Sequence, residues 1–105
     1  MIHMIYFNRF ASPKGIMIAM CDEELMGRMF KEGKMEIDLY HYGAFYKGEL
    51  ITEEEAVRRI NRNVYSANVV GDRSVGILAG LGIVKGGEVK TVQGVRFVHI
   101  FRVDK

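Results

Sequence analysis

The 105-residue sequence has no tryptophan, one proline and one cysteine. The lone Cys21 cannot close an internal disulfide, and no Cys-x-x-Cys pair exists. Disulfide scaffolds and cysteine-based zinc sites are thereby excluded, and a reducing compartment fits. A single proline excludes collagen-like chains. No apolar run approaches the roughly 18 residues of a membrane-spanning helix, so no membrane partner is expected. The stretch from Met1 to Phe7 lacks a basic leader and a small-residue cleavage site. A secretory signal is therefore not expected, and a cytoplasmic location is. His3, His41 and His99 have no ligating residue at i+3 or i+4, so neither a metal nor a cofactor is expected. No Gly-x-Ser-x-Gly or Ser/His/Asp pattern points to nucleophilic catalysis. Glu36 and Asp38 alternate with apolar residues and read as a solvent face rather than a catalytic pair.

What is present is a globular composition: 49% hydrophobic and 27% charged residues, enough for one domain over residues 1–105. The net charge of +2 conceals a division. Residues 1–55 carry six Lys/Arg against ten Asp/Glu, a balance of −4, and residues 56–105 carry nine against three, a balance of +6. Either the basic half faces an anionic partner or the two halves neutralise each other in space.

Periodicity orders the chain as ββαβαβαββ, an α+β domain with a mixed sheet and about three helices. Strands are expected from Ile2 to Phe10 and from Gly15 to Cys21, separated by a Pro-Lys-Gly turn. Asp22 is expected to cap a first helix carrying Leu25, Met26, Met29 and Phe30, with Gly33 closing it. Met35 to Leu39 alternates as a strand. Tyr40 to Gly48 reads as irregular or one-turn. Thr52 and Glu55 form a capping box for a second helix to about Val64, with Val57, Ile60 and Val64 inward. Tyr65 to Val70 is a strand. Gly71-Asp72 breaks it and caps a third helix to Leu81, where Gly76 and Gly80 either weaken the helix or permit close packing. A terminal hairpin follows, turning at Gln93-Gly94. In its last strand His99 shares a face with Val95, Phe97, Phe101 and Val103 and reads as a core histidine.

Four groupings bear on chemistry. The strand-to-helix turn Asn68–Ser74 presents Gly71, Asp72, Arg73 and Ser74 at a helix start, where free amides suit a phosphate. Asn8, Arg9 and Asn68 are polar candidates for the same ligand. Arg58, Arg59 and Arg62 share one helix face that can track a phosphate backbone, although Glu54–Arg58 and Glu55–Arg59 are favourable i,i+4 pairs. Tyr40, Tyr42, Phe45 and Tyr46 with His41 and Lys47 form an aromatic-basic segment suited to base stacking, to a protein hot spot or to core packing. Cys21 precedes three acidic residues that oppose a thiolate, which favours a buried structural role.

The runs Asn8-Arg9-Phe10-Ala11-Ser12-Pro13-Lys14-Gly15 and Ala19-Met20-Cys21-Asp22-Glu23-Glu24-Leu25 resemble the opening of an archaeal family known as domain of unknown function 424. Phe45-Tyr46-Lys47-Gly48-Glu49-Leu50, Ser66 to Val75, Thr91 to Val95 and Val98 to Val103 are similar to later parts of it. The resemblance implies a small cytoplasmic archaeal protein with a tilt towards translation, and implies no reaction. The function expected is a non-enzymatic RNA-binding or translation-associated module, with RNA or a ribonucleoprotein as partner. Arg58, Arg59, Arg62 and Arg73 would contact phosphate, and Arg9, Lys14 and the Asn68–Gly71 turn would extend that surface. The alternative is a protein or enzyme holding a phosphorylated small molecule at Asn68–Ser74. Oligomeric state is left open.

Overall fold

The computed structural model describes residues 3–60 and 64–101. Two long hydrophobic strands, β1 (Met4–Ser12) and β2 (Gly15–Asp22), pair antiparallel across the turn at Pro13 and Lys14. They sit inside a six-stranded mixed sheet with β5 (Glu49–Thr52), β6 (Val64–Val70), β7 (Lys90–Val92) and β8 (Val95–Phe101). The order is β5-β1-β2-β6-β8-β7, and β2 and β6 are the parallel pair. A parallel pair needs a long crossover, and the elements from Glu23 to Arg59 lie within it. The domain is α+β, as its pattern of elements implies.

One face of the sheet is covered by helices α2 (Glu53–Arg59) and α3 (Asp72–Gly80). Ile5, Phe7, Ile18, Met20, Val69 and Val98 meet Ala56, Val75 and Leu78 there in the main core. The other face is covered at one end only. A separate hairpin, β3 (Met29–Glu32) with β4 (Met35–Asp38), and the one-turn helix α1 (Gly43–Tyr46) close over it. Phe30 and Leu39 pack there on Cys21, Val70 and Val92 in a second, smaller cluster. Among the described residues no helix is long and apolar enough to cross a membrane.

Several expectations are corrected. The helix expected after Asp22 is a short 3-10 turn, Glu23–Leu25, followed by the β3–β4 hairpin. Gly33 is not a helix cap but the first turn residue of that hairpin, at φ 62°. Gly27, at φ 86°, breaks the apolar spacing that suggested a helix. Phe30 opposite Ile37 supplies the buried side of the hairpin instead. The second helix ends at Arg59, and Val64 begins β6. Ile60 and Val64 are buried, but Val57 points outward and Ala56 takes the inward place. The short strand β5, read as neither helix nor strand, becomes one by pairing with β1. His99 is exposed, since the buried residues of β8 are Val98 and Ile100 on the helix side. Among the described residues the face of His99 is left open because the β3–β4 hairpin covers only the opposite end of the sheet and α1 reaches this end only over β1, at Asn8 and Phe10.

Candidate functional site

The helix start at Gly71 is built from two distant parts of the chain. Asp22, at the end of β2, is 2% exposed. Its carboxylate accepts the amides of Arg73 (3.0 Å) and Ser74 (2.9 Å) and the hydroxyl of Ser74 (2.7 Å). Asp22 therefore caps α3 across the sheet, whereas Asp72, the cap expected from sequence, lies exposed beside Arg96 at 3.8 Å. Gly71 sits at φ 111°, and a Cβ on it would overlap the Asp22 carboxylate. A glycine is needed there on both counts. The amides that the sequence offers to a phosphate are thus occupied by a carboxylate of the chain itself.

Arg73 is likewise engaged within the fold. Its guanidinium lies 2.5 Å from Glu24 and 3.9 Å from both Asp22 and Glu53. The hydrogen bond it donates to Glu24 holds it still more firmly protonated. Burial works against the charge on Glu24, but its own backbone amide and Arg73 outweigh that and keep the carboxyl below its usual range. The shallow 190 Å³ cleft beside it is lined by Asp22, Glu24 and Asp72 against the single Arg73, a poor host for an anion.

The arginines of α2 are also paired. Thr52 accepts the Glu55 amide at 3.1 Å as the capping box requires. The Glu55 carboxylate, however, turns outward to Arg58 (2.6 Å) and Arg59 (2.7 Å). The expected Glu55–Arg59 pair is present, and Arg58 takes Glu55 rather than Glu54. Hydrogen bonds first from Arg59 and then from Arg58 hold the Glu55 carboxyl below its ordinary value. Arg59 also reaches Glu49 at 2.5 Å. Every one of these partners comes from residues 1–55, so Arg58, Arg59 and Arg73 of the basic half are neutralised by the acidic half. Arg62 lies outside the described residues.

A different gathering emerges at the outer edge of β1. Strand β5 pairs with β1 only as far as Phe7, and beyond it no strand flanks that edge among the described residues. The notch is a cleft of about 430 Å³ lined by Phe7, Asn8, Arg9, Gly48, Glu49 and Arg59. Asn8 donates to the Phe45 carbonyl (3.1 Å) and accepts the Arg9 amide (3.0 Å), which ties α1 to the strand. Gly48 allows the close approach, because a Cβ there would overlap the Phe7 carbonyl oxygen. The Arg59 guanidinium lies 5.9 Å from the centre of the Phe7 ring. The Arg9 side chain is exposed and makes no ion pair among the described residues. Lys14, at the tip of the β1–β2 turn, is equally free.

Of the residues nominated from sequence, the fold thus brings Asn8, Arg9 and Arg59 into one cleft. It places Gly71, Asp72, Arg73 and Ser74 at the acidic joint with Asp22. Asn68 stands on neither site but on the open sheet face, opposite His99. Tyr40 and Tyr42 are exposed and Tyr46 is partly buried, with its hydroxyl pushed up to about 12 by burial. Burial, reinforced by Asp22 and Glu24, likewise pushes the Cys21 thiol up to about 12, in keeping with a structural role. Among the described residues no cluster of three or more potential metal ligands occurs. Sequence reasoning missed Asp22 as a partner of Ser74, and its signal, a carboxylate ending a central strand, became readable only with the order of the strands.

No curated protein matches the chain. The fold is similar to the crystal structure of an uncharacterized conserved protein from Methanopyrus kandleri, with a TM-score of 0.76 and 20% identity over 97% of this chain and 96% of that one. The family model described as "Protein of unknown function (DUF424)" matches residues 10–103, and the chain belongs to that family.

Proposed function

We propose that the protein binds RNA through the notch at the edge of β1, as a non-enzymatic module. The observation that carries this reading is the meeting of Arg9, from β1, and Arg59, from the end of α2, in one open cleft with Asn8. A guanidinium suits phosphate because its planar fork donates two parallel hydrogen bonds. Arg9 and Lys14 bring charge that no carboxylate of the described residues takes up. Arg59 is held in place by Glu49 and Glu55, which orients it and reduces the net charge it offers. Arg73, by contrast, contributes to the fold rather than to this surface.

A filter-binding titration against tRNA and ribosomal RNA fragments at two salt concentrations tests the reading. Each phosphate contact releases counterions, so affinity should fall steeply with salt. Arg9→Glu with Lys14→Glu should weaken binding and flatten that dependence. Affinity that is absent, or indifferent to salt and to both substitutions, removes the proposal.

A further inference from the structure

The half of the second sheet face that α1 and the β3–β4 hairpin leave open has an ordered composition. Strand register places Phe10, Met17, Ser66 and Phe101 in one row across four strands. The adjacent row is Asn8, Ala19, Asn68 and His99. The middle positions, Ala19 and Ser66, are small and buried, so they form a low floor. Aromatic rings rise at both sides. Phe10 carries Phe45 stacked on it at 5.3 Å and 10°, and Phe101, 61% exposed, meets Tyr65 edge-on at 5.8 Å. Three strand spacings separate the two walls, roughly 14 Å.

The polar groups on this floor are unusual for an apolar face. The Asn68 side chain is half-buried and makes no hydrogen bond among the described residues, although an amide carries two donors and an acceptor oxygen. His99 stands next to it, exposed. Neither row contains a carboxylate. Asn8 links this face to the notch, Lys14 lies in the turn at its β1 end, and Arg9, which alternates to the opposite face with Phe7, lines the notch from the other side.

We propose that this open face is a platform for the unpaired bases of single-stranded RNA, with Phe101 and the Phe10–Phe45 pair as stacking walls and Asn68 meeting base edges. The inference rests on the RNA reading above and specifies the form of RNA. Aromatic rings accept any base by its π-face, while an amide discriminates among base edges. Bases held inside a duplex cannot reach either group. Both rows lack negative charge, and Lys14 in the turn with Arg9 at the adjoining notch makes the β1 edge cationic, which suits the phosphates of RNA, while the rings and the Asn68 amide suit its bases.

Fluorescence anisotropy with labelled short single-stranded homopolymers and a matching duplex tests this. The single strand should bind tighter than the duplex at equal salt. Phe101→Ala should weaken single-strand binding roughly fivefold to a hundredfold, with the salt dependence and thermal melting unchanged. Asn68→Ala should narrow the differences among the four homopolymers, and His99→Ala serves as a second exposed variant. If Phe101→Ala and Asn68→Ala bind as the parent does while Arg9→Glu weakens binding, the platform is overturned and the RNA reading stands. If the parent binds no RNA at low salt, both fall. If Phe101→Ala instead abolishes self-association measured by sedimentation and leaves RNA binding intact, the face is a protein interface and the platform is overturned.

Discussion

The Asp22 carboxylate accepts both the amide of Ser74 at 2.9 Å and its hydroxyl at 2.7 Å, across 52 positions of sequence. The end of β2 thereby holds the start of α3 at a fixed point on the sheet. Both side chains are buried, so the bonds are shielded from water, and their loss leaves donors without a partner.

Asp22→Ala should lower stability by about 2–4 kcal/mol, combining a lost cap with unsatisfied buried donors. Asp22→Asn keeps one carbonyl oxygen and should cost less. Urea unfolding followed by circular dichroism reads both. A loss below about 1 kcal/mol for Asp22→Ala would contradict the capping role.

Gly76→Ala should raise stability by about 0.5–1 kcal/mol. Gly76 lies inside α3, its φ is not positive, and a Cβ there meets nothing within 4 Å. Close packing on the sheet, one of the two roles open from sequence, is therefore not its role. Gly71→Ala, one turn earlier, should destabilise strongly because the new Cβ overlaps Asp22. Parallel melts of the two variants should move in opposite directions.

Alkaline pH should destabilise the fold before any salt-bridge chemistry is reached. Burial raises the Cys21 thiol from 9.0 and the Tyr46 hydroxyl from 10.0, each to about 12. The folded state thus keeps protons that the unfolded chain has lost. Their contribution is complete below about pH 9 and declines as pH rises towards about 12. Urea midpoints measured across that window should fall, and Cys21→Ala should shallow the slope. At about pH 8 the native thiol should resist a thiol reagent that labels it at once in urea. Rapid labelling of the native protein would refute its burial.

Arg73→Ala should separate structure from binding. Its partners are Glu24, Asp22 and Glu53, so the variant should melt at lower temperature. It should bind RNA with nearly parental affinity, whereas Arg9→Glu should do the reverse. Equal loss of RNA affinity in both would return Arg73 to the binding surface.

Local pattern carried most of the strands. The apolar, aromatic-rich run of β1, the apolar run of β2 and the alternation over Met35–Asp38 are legible because short apolar or period-two stretches mark strands. The Thr52 cap was legible because its partner, the Glu55 amide, is three residues away. The first helix was misread because Leu25, Met26, Met29 and Phe30 satisfy helical spacing. Only the need to cover Cys21 and Val70 decides that Phe30 does so from a hairpin. Gly27 and Gly33 were the local warning, since both adopt positive φ.

By itself the sequence determined the class of fold, the central strands, the inert cysteine and the division of charge between the two halves. Those properties depend on composition or on neighbours a few residues apart. Only the tertiary structure decided how that charge is spent. Arg59 reaches Glu49 and Arg73 reaches Glu24, because α2 packs beside β5 and α3 beside the end of β2. Arg9, nominated as an accessory, is left free at a notch that exists because β5 stops at Phe7. Strand order also converts Asn68 from a residue of a phosphate turn into one on an open aromatic face. Which side chains meet across a sheet is set by register between distant strands, and one chain's local pattern does not contain it.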